Sequence, residues 1–376
     1  MNNKKIISSK EIKNVVKCME SNWISYTGKY VSKFEKKFEN YLGEGFAVST
    51  CNGTASLILA LNTFNISKDD EVIIPNFAFA ASINAVISVG AKPVVLDISL
   101  KDWLIDINEI KKNINKKTKA IIIVHSYGIV FDVKKLKNFF KKKNIFIIED
   151  SAEALGSKFK NRPLGLLGDC SSYSFYPNKN ITTGEGGMVV FKNKNKFLKA
   201  QIIRNQGRNL KDKFFNHIYP GNNFRMSNIN ASIGVAQLSR FNKLQNLRKE
   251  IFKNYDQYLK ENLLNFFSLP NNKDTENSLW LYTVRLIGIS KNTRDKIIID
   301  LINKNIQVRP GFTPLHRQKA YKKYCKFNYK NSTVISNEII SFPTDPFLKV
   351  SKIKNICKFF INSLKSFNAN RYIRKN

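Results

Sequence analysis

From Gly45 onward, runs of consecutive apolar residues alternate with stretches of helical periodicity. The runs, each of strand length, occupy 45–50, 71–76, 93–98, 119–125, 145–149, 171–176 and 188–191. Helical patterns at 53–64, 79–89, 106–114 and 132–142 separate several of them. A strand with one wet face alternates apolar and polar side chains, whereas a continuous apolar run is covered on both faces. The pattern therefore predicts an α/β fold built on a mainly parallel seven-stranded sheet flanked by helices. Upstream, Ser8-x-x-Glu11 has the spacing of a capping box opening a helix to about Glu20. The loop Trp23 to Tyr30 leads into an amphipathic helix with Val31, Phe34, Phe38 and Tyr41 on one stripe.

The texture changes after Ala231. A long helix from about Ile229 to Asn262, broken near Asn242, carries Leu244, Leu247, Ile251, Tyr255 and Leu259 on one face. Strand-like 280–287, helical 291–304 and a helix from about 350 follow. We therefore expect a large domain over 1–240, including an N-terminal arm, and a smaller C-terminal α+β domain over 241–376. Residues Asn368 to Asn376 read as a basic, frayed tail.

Composition changes this picture little. A chain of 376 residues with 43% hydrophobic and 12% aromatic content fits a soluble globular protein of two domains. The formal charge of +35 invites a nucleic-acid reading. Its excess is lysine, 51 Lys against 12 Arg, spread over the whole length among Asn and Ile, as AT-rich coding produces. Base and phosphate recognition would favour the arginine fork, and no finger or helix-turn-helix signature occurs, so no specific nucleic-acid partner is expected. Five cysteines without CxxC spacing suggest neither a disulfide framework nor a metal site. The start Met-Asn-Asn-Lys-Lys is no signal peptide, and no apolar run reaches the ~18 residues of a membrane span. The expectation is a cytoplasmic protein with no membrane attachment.

Three segments carry candidate chemistry. Lys179 follows the apolar-aromatic run Tyr173 to Pro177 and precedes a turn holding Gly184, Gly186 and Gly187. These glycines allow positive φ and close backbone approach to something bound. A lysine desolvated at the mouth of a sheet becomes a nucleophilic amine, as Schiff-base chemistry requires. Asp150 ends the apolar strand Ile145 to Glu149, where a carboxylate is costly unless it meets a cation such as a protonated pyridine nitrogen. Asn52-Gly53-Thr54 lies between a strand and a helix start, where free amides favour a phosphate. Each has a plainer reading, as a hairpin turn, a helix cap and a cap again. Together they are the three fixed points of a pyridoxal 5'-phosphate site.

On Trp23-Ile-Ser-Tyr-Thr-Gly28, Asn52 to Thr54, Glu149 to Gly156, Ser174 to Met188, Gly221 to Met226 and Arg309 to His316, the chain resembles the DegT/DnrJ/StrS-type sugar aminotransferases. Those enzymes have the fold type I scaffold of pyridoxal-phosphate-dependent aminotransferases. The resemblance implies that Lys179 joins the cofactor covalently and shuttles the proton, while Asp150 faces the pyridine nitrogen. It implies that Phe79 stacks on the ring, Glu153 lies beside the ring hydroxyl, and Gly53, Thr54 and Ser174 hold the phosphate. Asn223 would reach the phosphate in the partner subunit, making a homodimer obligatory. Lys29, Arg309 and His316 would be substrate ligands; each has a plain alternative as a surface cation or a satisfied histidine. His125 and Arg225 read as structural, the latter in a buried ion pair.

Within the family, the Lys179 segment and Arg309-Pro with Pro314-Leu-His316 are most similar to the branch that moves the amino group of L-glutamate to carbon 4 of GDP-4-keto-6-deoxymannose for surface polysaccharide. Pro177, Asn222 and Gly311-Phe-Thr313 depart from that branch and bear on the sugar alone. A UDP- or dTDP-linked 3- or 4-keto sugar is an alternative substrate. A catalytically silent ligand-binding regulator and a nucleic-acid-binding protein are readings from other classes.

Overall fold

The computed structural model describes residues 6–140, 143–209 and 212–374. The expected helix over 132–142 and the tail thus lie partly outside the described residues.

The seven predicted runs form strands β1 (Phe46–Thr50), β2 (Glu71–Pro75), β3 (Lys92–Leu96), β4 (Thr118–Val124), β5 (Phe146–Asp150), β6 (Cys170–Ser174) and β7 (Gly187–Phe191). They build one sheet in the order β1-β7-β6-β5-β4-β2-β3. The strands β2 to β6 pair in parallel, whereas β7 runs antiparallel to both β1 and β6. Along β4 the side chains of Ala120, Ile122 and Val124 enter one hydrophobic cluster and those of Ile121 and Ile123 another. Both faces are thus covered, which is why Ala120 to Val124 is an unbroken apolar run.

Helices α1 (Ser9–Glu20) and α2 (Lys29–Leu42) precede the sheet, and α3 (Gly53–Thr63), α4 (Ala81–Ser88), α5 (Ile107–Lys112) and α6 (Lys134–Phe140) connect its strands. The capping box forms: Ser8 N donates to Glu11 Oε2 at 2.7 Å and the Ser8 hydroxyl accepts from Lys10 N. Glu11 is buried and also takes Arg240 Nη1 at 2.8 Å and Gln237 Nε2 at 3.0 Å. On α2, Phe34 and Phe38 pack against Phe175 and Phe38 against Tyr173, so this helix braces the strand that leads to Lys179.

Two further helices, α7 (Lys194–Arg204) and α8 (Asn228–Ser239), follow β7. The long helix after Ala231 breaks at Arg240, slightly earlier than expected, where the side chain is engaged by Glu11. Helix α9 (Phe241–Asn262) carries Leu244, Ile251, Tyr255 and Leu259 on its buried face. A four-stranded antiparallel sheet follows, with β8 (Phe266–Phe267), β9 (Tyr282–Leu286), β10 (Arg309–Pro310) and β11 (Ile339–Phe342) in the order β8-β9-β11-β10. Helices α10 (Lys291–Asn303), α11 (Lys330–Glu338) and α12 (Val350–Ser366) complete this part. Most of it gathers around Tyr255, Val284, Ile340 and Phe360, yet Leu315, Tyr329, Ile335 and Ile339 pack into the clusters of the large sheet.

The tail differs from expectation. Tyr372 is 1% exposed, its carbonyl accepts from Leu264 N at 2.7 Å, and Arg374 N donates to Asn262 O at 3.0 Å. An aromatic anchor and two backbone bonds hold 368–374 against the end of α9. No helix among the described residues is long and apolar enough to cross a membrane.

Candidate active site

The pairing register brings four strand termini to one edge of the sheet. Asp150, last in β5, is beside Ser172 of β6; Ser174, last in β6, is beside Gly187, first in β7; Gly187 is beside Thr50, last in β1. Because β7 is reversed, its start meets the ends of its neighbours. The carboxyl edge of a parallel sheet is where such folds bind ligands.

Lys179 sits in the loop that joins β6 to β7. The loop is closed by Phe175 N to Gly186 O at 2.8 Å and Thr183 N to Phe175 O at 3.0 Å, and Lys179 N donates to Tyr176 O at 2.9 Å. Asn180 Nδ2 ties it to Leu155 O at 2.8 Å and Ser278 O at 2.7 Å. The glycines of this turn serve in two ways. Gly184 takes φ +81, but an added Cβ on Gly187 would stand 2.5 Å from Asn52 O and one on Gly186 2.1 Å from Thr183 Oγ1. The close approach is thus to the chain itself, locking the lysine loop onto the Asn52 turn.

The amine of Lys179 lies 3.6 Å from Glu153 Oε1 and 3.9 Å from the centre of the Trp280 ring. Burial pushes its pKa down, opposed by the charges of Glu153 and Asp150, while Arg309 adds to the lowering. Glu153 Oε2 accepts from Tyr127 N at 2.7 Å, and burial raises its pKa to about 7 against the attraction of Lys179. Asp150 is 6% exposed and accepts from Ser82 Oγ at 2.9 Å and Ala152 N at 3.2 Å. Neither donor is charged, and burial raises this carboxyl as well. The half-buried Lys179 and the buried Asp150 and Glu153 thus form one charge cluster.

The turn after β1 has the expected form. Asn52 caps α3 by accepting Ala55 N at 2.8 Å, which leaves the amides of Gly53 and Thr54 in the first turn, where donors have no intrahelical acceptor. A Cβ on Gly53 would stand 2.9 Å from Ser174 Cβ, so only glycine lets this turn close on the end of β6.

A pyridoxal phosphate fits these residues. A buried carboxylate with uncharged donors suits a ring cation, the free amides beside Ser174 suit a phosphate, and a desolvated amine suits an aldehyde. No group of three or more potential metal ligands occurs among the described residues.

The other predicted residues are more dispersed. Phe79 is 64% exposed, with its ring 6.4 Å from that of Phe312. Arg309 is exposed on β10, close enough for its charge to act on Lys179. Lys29 is exposed at the first residue of α2. Asn223 is exposed and accepts Arg225 Nε at 2.8 Å, while the adjoining Phe224 O accepts from Cys51 N at 2.9 Å beside the α3 turn. Arg225 differs from the expected buried ion pair: it is half-buried, bonds Asn223 and Asn205, and stacks over Tyr26. Both ring nitrogens of His316 are taken, by Asn76 at 2.8 Å and Thr333 at 3.2 Å, and its ring stacks on Tyr329. That is the satisfied-histidine alternative, with burial and Arg317 lowering its pKa. His125 is fully buried against Glu149, as its structural reading requires.

The sequence reading missed Ser82, Tyr127 and Trp280. Ser82 is a polar residue in the first turn of α4, just after the end of β2, a position that signals a site contact. Tyr127 acts through its backbone amide, which no side-chain pattern reveals, and Trp280 looks like a core residue.

The pH dependence of stability tests the cluster. Glu153 titrates near its ordinary 4.5 when unfolded and at about 7 when folded, so the fold favours its protonated form. Its contribution is fully present below 4.5 and is lost as pH rises toward 7. Glu153→Gln cannot ionise. Between those limits its melting temperature is expected to rise relative to wild type as pH increases; parallel curves would exclude the raised carboxyl.

The profile of the DegT/DnrJ/EryC1/StrS aminotransferase family matches residues 5–360. GDP-perosamine synthase of Escherichia coli O157:H7 is 35% identical over 94% of this chain and 95% of its own length. The enzyme of that name from Vibrio cholerae is 34% identical over 95% and 96%. A dTDP-3-amino-3,6-dideoxy-alpha-D-galactopyranose transaminase of Aneurinibacillus thermoaerophilus is 31% identical over 92% and 93%. Among solved structures, Spr1654 of Streptococcus pneumoniae in its PLP-form superposes with a TM-score of 0.90 at 30% identity, covering 96% of this chain and 97% of that one.

Proposed function

The chain belongs to the DegT/DnrJ/EryC1/StrS aminotransferase family, with pyridoxal phosphate as its cofactor, and on that premise we propose that it aminates a nucleotide-linked 4-keto-6-deoxy sugar with L-glutamate as donor. GDP-4-keto-6-deoxymannose is the proposed acceptor and GDP-perosamine, for surface polysaccharide, the product. The observation that carries the reading is the half-buried Lys179 amine gathered with the buried carboxyls of Asp150 and Glu153 at the carboxyl edge. Its acceptor is supported by the two GDP-perosamine synthases, each matched over more than nine-tenths of both chains.

When bound, the cofactor supplies an aldehyde that exchanges amines and a ring that takes up an electron pair. The residues do the rest. Lys179 holds the cofactor, and when displaced its amine removes the α-proton of glutamate and later returns a proton to the sugar carbon. Asp150 keeps the ring nitrogen protonated by offering a buried negative charge. Gly53, Thr54 and Ser174 would hold the phosphate, Glu153 would take the side of the ring hydroxyl, and Phe79 would cover the ring. Arg309 and Lys29 are the cations assigned to the substrate, while His316, both nitrogens engaged, shapes the loop that carries Arg309.

The site is proposed to be completed by a second copy in a homodimer, with Asn223 reaching the partner's phosphate. The segment around it supports this: Phe214, Phe215, Ile218 and Tyr219 are 86%, 62%, 50% and 41% exposed, an apolar surface that a lone subunit would leave in water. A second reading, a dTDP-linked 3-keto acceptor, is favoured by the Aneurinibacillus relative.

A panel of GDP-, UDP- and dTDP-linked keto-sugars offered with L-glutamate decides between them. The expected result is amination of the GDP-4-keto sugar with the highest kcat/KM, read by mass spectrometry of the product. A higher value for a dTDP- or UDP-linked sugar would overturn the choice of nucleotide.

A further inference from the structure

Trp280 ends the stretch that leads into β9 and comes to lie against Lys179. Trp280 is 5% exposed and is tied through both its indole and its backbone. Nε1–H donates to Asn178 O at 2.7 Å, and its own carbonyl accepts from Thr344 Oγ1 at 2.6 Å. The residues before it are pinned as well. Ser278 Oγ donates to Glu153 O at 2.5 Å, and Ser278 O accepts from Asn180 Nδ2 at 2.7 Å and Gln245 Nε2 at 3.0 Å. Leu279 takes φ +56, a left-handed conformation that a bulky residue adopts only where its surroundings impose it.

The ring is therefore fixed, with its face toward the amine of Lys179, while Glu153 approaches the same amine from 3.6 Å. We propose that Trp280 is a positioning residue for transamination: its indole face and the Glu153 carboxyl together cradle the Lys179 ammonium whenever that amine is not joined to the cofactor. The inference rests on the assignment of Lys179 as the cofactor's lysine.

The physical case follows from what each wall of the cradle can do. A lysine amine on a four-carbon stem has many rotamers and must be held where the proton is needed. An aromatic face attracts a desolvated cation through its quadrupole, more strongly than at the surface. Burial raises the Glu153 carboxyl to about 7, so this wall loses charge as pH falls through neutrality. The indole does not titrate, and it keeps its attraction across that range. Trp280 also connects the two halves of the chain, since the same residue is bonded to the lysine loop and to Thr344 beyond β11.

The test is the acidity of Lys179 in the cofactor-free full-length protein. The pH dependence of labelling by an amine-reactive reagent, read on the Lys179 peptide by mass spectrometry, gives its apparent pKa. Removing the indole face with Trp280→Leu withdraws an attraction for the charged form, so the pKa is expected to fall by about one unit. Trp280→Phe, which keeps a weaker aromatic face, is expected to fall between. Biosynthetic replacement of tryptophan by a fluorinated analogue drains the ring's electron density with little change of shape. It is expected to lower the value also, and it covers the case in which the leucine variant does not fold. An unchanged pKa in the fluorinated protein or in the folded leucine variant overturns the proposal. Borohydride fixation of pyridoxal phosphate on Lys179 is measured separately. If that fails, the parent reading falls whatever the pKa series shows.

Discussion

Lys179→Ala is expected to abolish transamination, lowering turnover by at least about four orders of magnitude. The change removes two things at once: the amine that joins the cofactor and the base that moves the proton. General acid–base catalysis alone is worth ~10²–10⁴ in rate, and loss of covalent attachment adds to that. The fold itself should survive, because the amine is buried at an energetic cost and the loop is held by backbone bonds of Phe175 and Thr183 and by Asn180. The check is a glutamate half-reaction followed by absorbance, with a melting curve beside it. Turnover within tenfold of wild type in a folded variant would remove Lys179 from the chemistry. Lys179→Arg keeps a positive charge but cannot condense with an aldehyde, and it is expected to be as inactive.

Asp150→Asn is expected to have the next largest effect. The amide is nearly isosteric with the carboxylate: its oxygen can still accept from Ala152 N, while its NH2 takes the place of the other oxygen and donates to the Ser82 hydroxyl instead of accepting from it, so the strand end keeps its shape. What disappears is the buried negative charge. Breaking a buried ion pair costs about 3–5 kcal/mol, which corresponds to a rate loss of roughly 10²- to 10⁴-fold where that pair stabilises the reacting state. Cofactor affinity should fall in the same variant. Ser82→Ala, which removes one hydrogen bond and no charge, should cost far less, about 1–3 kcal/mol. Equal effects for the two substitutions would mean that the charge of Asp150 is not what the site uses.

Much of this architecture could be read from apolar runs because a doubly covered strand has no alternative pattern. Helix α7 was missed for the opposite reason: Lys194-Asn-Lys-Phe-Leu-Lys carries too few apolar positions to mark a face, and its placement follows from the sheet it covers. The two-residue strands β8 and β10 are likewise shorter than any periodicity. Lys179 and Asp150 could be recognised because both are charged residues where an apolar strand ends. Trp280 could not, because a tryptophan in an apolar stretch looks the same whether it fills a core or faces an amine. The glycines around Lys179 do two jobs: Gly184 takes the expected positive φ, while Gly186 and Gly187 are small so that the lysine loop can fold against its own Thr183 and against Asn52.

Strand β1 lies at the edge of the large sheet, and its partner there is β7, more than a hundred positions later in the chain. During synthesis the first strand emerges early and must wait for the last one before it has a ladder to join. At ribosomal speeds of ~5–20 residues per second the delay is on the order of ten seconds. Over that interval the nascent chain holds an unpaired apolar ribbon, and the aldehyde-capturing pocket cannot exist until the ribbon is zipped in.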